Sequence, residues 1–375
     1  MQVDDEAAMA RAVALGQQGR ATSAPNPWVG CVVVRDGVVV GEGYHRRAGE
    51  PHAEAHALEA AGERARGATV YVTLEPCAHY GRTPPCVGGL LRAGVSRVVV
   101  GVLDPDRRVA GRGVAGLQAA GIQVDVGIGA SAAACSLAAY LHQRRTGRAY
   151  CVLKAAISLD GRTAAADGSA RWITGTAARA DTHALRAQSQ AVVVGAGTAL
   201  ADAPTLTVRD VDPLPDRQPL RVLLDSRGRV PAAGPLFDPA LAPTLVITTA
   251  NADHACVAAW HAAGAEVDEV PPEPGGAGVD LEAALRRLAE RGVLQAMVEG
   301  GPTVLGACVR AGLADRLVLY VGATTLSDAG RPLLAGPGPR TLAEASHWRL
   351  LGVREVGNDV RLDYEPCAGF QQVAA

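Results

Sequence analysis

Apolar runs and helical spacings alternate twice along this chain. Ala8, Met9, Ala12 and Val13 fall at helical spacing over residues 6–20 and Gly19 closes them, which predicts an opening helix. Val29–Val34 and Val38–Val40 flank Arg35-Asp36-Gly37, whose Asp-Gly step predicts a hairpin. Helices are expected at about 53–65, 87–93, 113–120 and 130–144, alternating with strands at 68–74, 95–103 and 122–128. That order predicts an α/β layer with a largely parallel sheet and a hairpin at one edge.

After the polar break Arg144-Arg145-Thr146-Gly147-Arg148 the alternation resumes with different spacing. Strands are expected at 151–157, 191–194, 220–224, 245–248, 267–270, 294–298 and 317–321, with helices near 177–188, 281–291 and 304–311. The end, from Trp348 to Tyr364, predicts two strands around Gly357-Asn358, and residues 201–219 and 271–280 are expected as loops. The halves share no repeat, so two different α/β domains are expected, at 1–147 and 150–368.

Composition adjusts this picture in three places. The chain is 375 residues long, 48% hydrophobic and 20% charged, which excludes disordered, collagenous and coiled-coil classes. Up to residue 149 there are 16 Arg against 13 acidic residues, and beyond it 20 Lys plus Arg against 25, giving +3 and −5. With aromatics at 3%, neither half has the footprint of a nucleic-acid-binding domain. Asp4, Asp5 and Glu6 stand where a signal peptide needs basic and then apolar residues, and eight cysteines are too few for a disulfide scaffold. The stretch Val126–Arg144 is too weakly apolar to span a bilayer, so a cytoplasmic protein with reduced thiols is expected. Thirdly, 35 of the 36 basic residues are arginine and one, Lys154, is lysine. A lone lysine on that background marks a position where a compact, titratable ammonium serves better than a planar fork, or else a chance survivor.

The chemistry of the first half sits in three segments. His52-Ala53-Glu54 opens a predicted helix, Glu75-Pro76-Cys77 follows a strand, and Pro84-Pro85-Cys86 opens the next helix. One imidazole and two thiolates leave the fourth tetrahedral position of a zinc ion to water, the catalytic arrangement. The metal brings that water's pKa towards ~7 and so provides hydroxide at neutral pH. Glu54, two residues from His52, is placed to shuttle the water's proton. Eight residues separate Cys77 from Cys86 where nucleobase deaminases commonly have two, and His79 in that insert is a candidate fourth ligand that would make the site structural.

Three motifs, Pro25-Asn26-Pro27-x-Val29-Gly30, His52-Ala53-Glu54 and Glu75-Pro76-Cys77-x-His79-x-Gly81-Arg82-Thr83-Pro84-Pro85-Cys86, resemble the deaminase half of the bifunctional riboflavin-biosynthesis deaminase/reductases. Leu159-Asp160-Gly161-Arg162, Trp172-Ile173-Thr174, Leu206-Thr207-Val208-Arg209 and Glu299-Gly300-Gly301-Pro302-Thr303 resemble their reductase half. The resemblance implies an N-terminal cytidine-deaminase-like three-layer domain and a C-terminal dihydrofolate-reductase-like domain. The first would deaminate 2,5-diamino-6-ribosylamino-4(3H)-pyrimidinone 5′-phosphate, and the second would reduce the ribosyl group of the product to ribityl with NADPH. It carries zinc onto His52, Cys77 and Cys86, proton transfer onto Glu54 and substrate orientation onto Asn26; His79 and Arg82 are candidates for the ribose phosphate.

Cofactor contacts implied by the resemblance are Ala156, Trp172, Thr198, Asp202, Ser226 and the turn Gly301, Pro302, Thr303, Val304, Leu305, Gly306 and Ala307. Two glycines before a helix opened by proline also bring backbone N–H groups to a pyrophosphate on residue chemistry alone. Gly195-Ala196-Gly197 lacks the third glycine of a dinucleotide fingerprint. Ser226 and Arg227, after a predicted strand, are placed to meet the 2′-phosphate of NADPH. Implied substrate contacts are Ala170, through its backbone, Arg186, Leu206, Arg209 and Glu299, with both arginines expected to grip the 5′-phosphate. Lys154, with Glu299, is expected to orient or protonate the ribosylamino group as the sugar is reduced. A phosphoribosylated pyrimidine is the expected partner, with no nucleic acid and no membrane, and self-association as a homo-oligomer is left open. The alternative is a tRNA or nucleobase deaminase fused to a non-catalytic nucleotide-binding module.

Overall fold

A computed structural model of the chain describes residues 3–81, 84–212, 214–215, 217–276 and 278–367. The chain divides into two units, the first running to Gly147 and the second beginning at Arg148; the far end expected for the second domain, residue 368, lies outside the described residues. No helix among the described residues is long and apolar enough to cross a membrane.

The first unit runs α1 (Asp5–Gln18), β1 (Gly30–Arg35), β2 (Val38–Tyr44), α2 (Ala53–Ala61), β3 (Thr69–Leu74), α3 (Cys86–Ala93), β4 (Arg97–Val102), α4 (Arg112–Ala119), β5 (Gln123–Val126), α5 (Ala130–Ser136) and α6 (Ala138–Thr146). Asp4 caps α1, its carboxylate accepting from Ala7 N–H at 2.8 Å, and Asp5 and Glu6 in the first turn suit the helix dipole. Asp36 and Gly37 both have positive φ, at 51° and 77°, the hairpin geometry that an Asp-Gly step favours. Sheet order is β2-β1-β3-β4-β5. The expectation of a largely parallel sheet needs correcting here, because β1 is antiparallel to both β2 and β3, and only β3-β4-β5 are parallel. The cause is connectivity: the chain leaves the hairpin through α2 and returns on the far side of β1. The helix expected at 130–144 is also divided, at Leu137.

Three layers result. Ala8, Met9 and Ala12 of α1 pack on Val32, Val34, Tyr71 and Val99 on one face of the sheet, while α2 covers the other. Glycine is needed where α1 meets β1, since a Cβ at Gly30 would fall 1.9 Å from the Ala12 carbonyl oxygen.

The second unit runs β6 (Tyr150–Ile157), β7 (Arg162–Ala164), α7 (Thr176–Ala187), β8 (Ala191–Gly195), α8 (Ala196–Asp202), β9 (Leu220–Leu224), β10 (Thr244–Thr248), α9 (His254–Ala262), β11 (Glu266–Glu269), α10 (Leu281–Glu290), β12 (Gln295–Val298), α11 (Pro302–Arg310), β13 (Arg316–Val321), β14 (Arg331–Pro332), β15 (Trp348–Val356) and β16 (Asp359–Pro366). Nine strands form one sheet in the order β11-β10-β9-β8-β12-β6-β13-β16-β15, parallel from β11 to β13. Strand parity explains the apolar runs: Leu153 and Val193 face one core with α10 and α11, whereas Val152 and Val192 face cores built with α7 and α9. The chain steps outward from β8 to β11, then returns to insert β12 between β8 and β6. A crevice opens at such a reversal, beyond the carboxyl ends of the strands.

Candidate active sites

His52 is the N-cap of α2 and Cys86 the first residue of α3, while Cys77 lies in the loop after β3. His52 turns Nδ1 to both sulfurs, 3.3 Å from Cys86 Sγ and 3.6 Å from Cys77 Sγ, and the three ligand atoms lie within 4.8 Å of one another. A tetrahedral zinc with bonds of about 2.0–2.3 Å needs ligand atoms about 3.4–3.8 Å apart, so this donor set fits zinc in type and spacing. The Cys86 thiol and His52 hold Cys77 down to about 4, which favours a thiolate, and the Cys86 backbone N–H donates to that sulfur at 3.3 Å. His79 lines the same cavity but stands outside the three-ligand cluster, so nothing in the cluster closes the fourth position; Arg82 falls outside the described residues.

Glu54 is 4% exposed, and burial pushes its carboxyl up, against the pull of His52. Both line a cavity of about 450 Å³ that also takes in Asn26, His45, Glu75 and Tyr140. His45, which no sequence motif marks, organises Asn26. Its Nδ1 faces the Pro51 carbonyl oxygen at 3.1 Å and so carries the proton, leaving Nε2 to accept from Asn26 Nδ2 at 3.1 Å. One of the amide's two N–H groups is thereby used, and the amide oxygen is the group that can accept from a ligand's N–H. Glu75 serves the backbone instead, its buried carboxylate accepting from the N–H groups of Asp104, Gly111, Gly113 and Val114 at 2.8–3.3 Å. Gly113 permits this approach, since a Cβ there would meet the Pro76 carbonyl oxygen at 2.0 Å. The loop carrying Cys77 is thus fastened to the start of α4.

In the second unit the crevice is a cleft of about 750 Å³. Lys154, Ala156, Ala170, Trp172, Thr198, Asp202, Ser226, Glu299, Gly301, Pro302, Thr303, Val304, Leu305 and Ala307 line it, as does Arg227. Gly301 caps α11 and donates to Thr198 Oγ1 at 2.9 Å, joining the two turns that a pyrophosphate would cross. Asp225 shapes the turn after β9 by accepting from the N–H groups of Arg227, Arg229 and Val230 at 2.7–3.3 Å. Both turns, with Arg227 at the rim, suit a dinucleotide phosphate chain and fit NADPH. Gly306 is not among the cleft's lining residues and packs instead where a Cβ would lie 2.2 Å from the Ala335 carbonyl oxygen.

Arg186 also departs from expectation. Its fork closes on Glu299 rather than standing open for phosphate, with Nη2 2.8 Å from Oε2 and Nε on Oε1, and Nη1 donates to the Thr207 carbonyl at 2.9 Å. The pair is 13% and 10% exposed, and a carboxylate so deeply placed needs that partner. Burial alone would raise the Glu299 carboxyl, but Arg186 and Lys154 hold it down to about 2. Burial likewise lowers the Lys154 ammonium, partly offset by Glu299. Leu206 and Arg209 lie on the segment that Arg186 ties down; Leu206 is buried at a left-handed φ of 54°, a strained setting for leucine. His183 accepts from the Arg209 backbone N–H at 3.3 Å, a support with no sequence signature.

The profile of the cytidine and deoxycytidylate deaminase zinc-binding region matches residues 2–102, and that of the RibD C-terminal domain matches residues 149–362. The riboflavin biosynthesis protein RibD of Chlamydia trachomatis serovar D is 46% identical over 358 residues, covering 95% of this chain and 94% of that one. The Escherichia coli K12 protein of the same name is 44% identical, covering 96% and 99%. Among solved structures, Acinetobacter baumannii RibD superposes with a TM-score of 0.86 at 39% identity, over 97% of this chain and 99% of that one. The Thermotoga maritima diaminohydroxyphosphoribosylaminopyrimidine deaminase/5-amino-6-(5-phosphoribosylamino)uracil reductase gives 0.83 at 31%, over 96% and 98%. Both halves, in the same order and at nearly full length, therefore have their counterparts in single proteins, and this chain belongs to the RibD family of bifunctional deaminase/reductases of riboflavin biosynthesis.

Proposed function

We propose that the two sites act in turn on one phosphoribosylated pyrimidine, and that the residues named above divide the chemistry as follows. Zinc held by His52, Cys77 and Cys86 supplies, when bound, an activated water. Glu54 would take that water's first proton and deliver it to the ring nitrogen as the oxygen bonds to the amino-bearing carbon of 2,5-diamino-6-ribosylamino-4(3H)-pyrimidinone 5′-phosphate. It would then take the second proton from the added hydroxyl and deliver it to the amino nitrogen, so that ammonia leaves as the carbonyl forms. Its raised pKa suits it to holding a proton between the two transfers. Asn26, fixed by His45, orients the pyrimidine through its amide oxygen.

In the cleft, NADPH lying along Ala156, Trp172, Thr198, Asp202, Ser226, Gly301, Pro302, Thr303, Val304, Leu305 and Ala307 supplies, when bound, the hydride. Glu299 stays ionised and orients the ribosylamino nitrogen, while Lys154 donates the proton as the sugar opens. Leu206 and Arg209, with the Ala170 backbone, form the rest of the substrate seat, and Arg186 serves it through Glu299. The product is 5-amino-6-ribitylaminouracil 5′-phosphate. A cytoplasmic setting is proposed because the thiolates of Cys77 and Cys86 must stay reduced.

The observation that carries this reading is the His52, Cys77 and Cys86 cluster beside a buried acid in the same chain as the Lys154–Glu299 cleft. Ammonia release and NADPH oxidation, measured together on the zinc-loaded full chain, test it. Equimolar yields are expected, with NADPH oxidation lagging behind ammonia. NADPH oxidation without prior ammonia release would reverse the order proposed.

A further inference from the structure

Lys154 emerges from β6 on the face covered by α7, and the ring of Tyr320 lies beside its ammonium, with Nζ 5.7 Å from the ring centroid. β13 pairs in parallel with β6, matching Val318 to Lys154 and Tyr320 to Ala156, so lysine and tyrosine project from the same face of neighbouring strands. Tyr320 is fully buried, and its hydroxyl donates to Asp181 Oδ2 on α7 at 2.7 Å. Asp181 is in turn held by Arg361 at 2.7 Å and Arg354 at 2.5 Å, and the Arg361 guanidinium lies 5.8 Å from the same ring. A ring anchored in this way cannot swing aside.

The charged groups around the ammonium come from each element packed on it: Glu299 beyond β12, Arg186 and His183 on α7, and, behind the ring, Asp181 on α7 and Arg361 on β16. Glu299 is the anion among those in front, but Arg186 already holds both its oxygens. Lys154 is therefore a half-buried cation with a shared counter-ion. The π face beside it is the remaining attraction, and such a contact strengthens where water is excluded.

We propose that Tyr320 is a positioning residue for the reductase reaction, its ring face holding the Lys154 ammonium in place and in its charged form. This rests on the reading of Lys154 as the proton donor. Because the chain has one lysine, protein grown on ¹³C-lysine gives one lysine side-chain signal, whose titration reports Lys154 directly. In Tyr320→Leu the midpoint should fall by about one pH unit, the worth of a desolvated cation–π contact, and the basic limb of reductase kcat should move with it. Tyr320→Phe keeps the ring and should restore the wild-type midpoint, which a role confined to the hydroxyl would not allow. Pentafluorophenylalanine at position 320 keeps the shape but inverts the ring's charge distribution. It should lower the midpoint as leucine does, and it decides the matter if Tyr320→Leu fails to fold, with an unchanged Kd for NADPH as the sign of an intact cleft.

A midpoint that stays put in both ring-disabled proteins overturns the proposal. Lys154→Met separates this from the parent reading. If that variant keeps full reductase turnover, Lys154 is not the donor, wherever the signal titrates. If it is inactive while the midpoint ignores the ring, the part given to Tyr320 alone is wrong.

Discussion

Arg186 on α7 and Glu299 just beyond β12 form a two-pronged ion pair in which neither partner is more than 13% exposed. Glu299 ionises at about 2 in the folded chain against a usual 4.5, so the unfolded chain binds its proton more readily. The stability gained is complete above about pH 4.5 and drains away as pH falls towards 2, on the order of 3 kcal/mol in all. Glu299→Gln should flatten that acid limb in urea denaturation measured from pH 5 downwards. Arg186→Met should instead leave Glu299 as an uncompensated buried charge and cost about 3–5 kcal/mol at neutral pH.

His183 titrates in a different window. Burial, then Arg186 and Arg209, lower it to about 4 from 6.5, so its contribution is whole above pH 6.5 and is lost as pH falls to about 4. His183→Gln keeps a side chain able to accept from the Arg209 N–H but does not titrate. It should remove the pH dependence of stability between 6.5 and 4 while leaving the Glu299 limb below it.

Glu54→Gln should bind zinc at wild-type stoichiometry and lose ammonia release by about 10²–10⁴-fold, the worth of a positioned acid/base. NADPH oxidation on deaminated substrate should be unchanged. Metal analysis and the two assays on one preparation check all three statements.

Cys86→Ser should fail the first of those tests. With one thiolate gone the zinc content should fall well below one per chain and ammonia release with it.

Arg227→Ala should raise the KM for NADPH about tenfold and leave that for NADH near its starting value, since the guanidinium stands at the cleft rim where a 2′-phosphate would end. A parallel rise in both would place Arg227 elsewhere along the cofactor.

Residue order reveals some of these elements and conceals others, for reasons that differ by element. β8 announces itself because a strand buried on both faces reads as an unbroken apolar run, and β6 does so on either side of Lys154. α8 is hidden because Gly195-Ala196-Gly197 reads as a loop, although the helix starts at Ala196. α9 is hidden because Trp260 is its one fully buried residue, too little to make a period. In the sites, His52, Glu54, Cys77 and Cys86 betray themselves by chemistry at short spacing. His45, His183 and Tyr320 act by reaching across the fold, and a contact between residues 166 positions apart, as for Lys154 and Tyr320, leaves no local trace. Gly306 shows the opposite failure: it sits between Leu305 and Ala307, which line the cleft, yet packs against the Ala335 carbonyl instead.

Glu75 lines the same deaminase cavity as Glu54, yet its two oxygens accept from four main-chain N–H groups. That carboxylate is masonry: it fastens the loop bearing Cys77 to the start of α4 from within the protein. A loop tied down by four such bonds has an anchor of its own besides any metal. Loss of the ion should silence the deaminase without dismantling the unit, and returning it should restore the activity on the timescale of binding rather than of refolding.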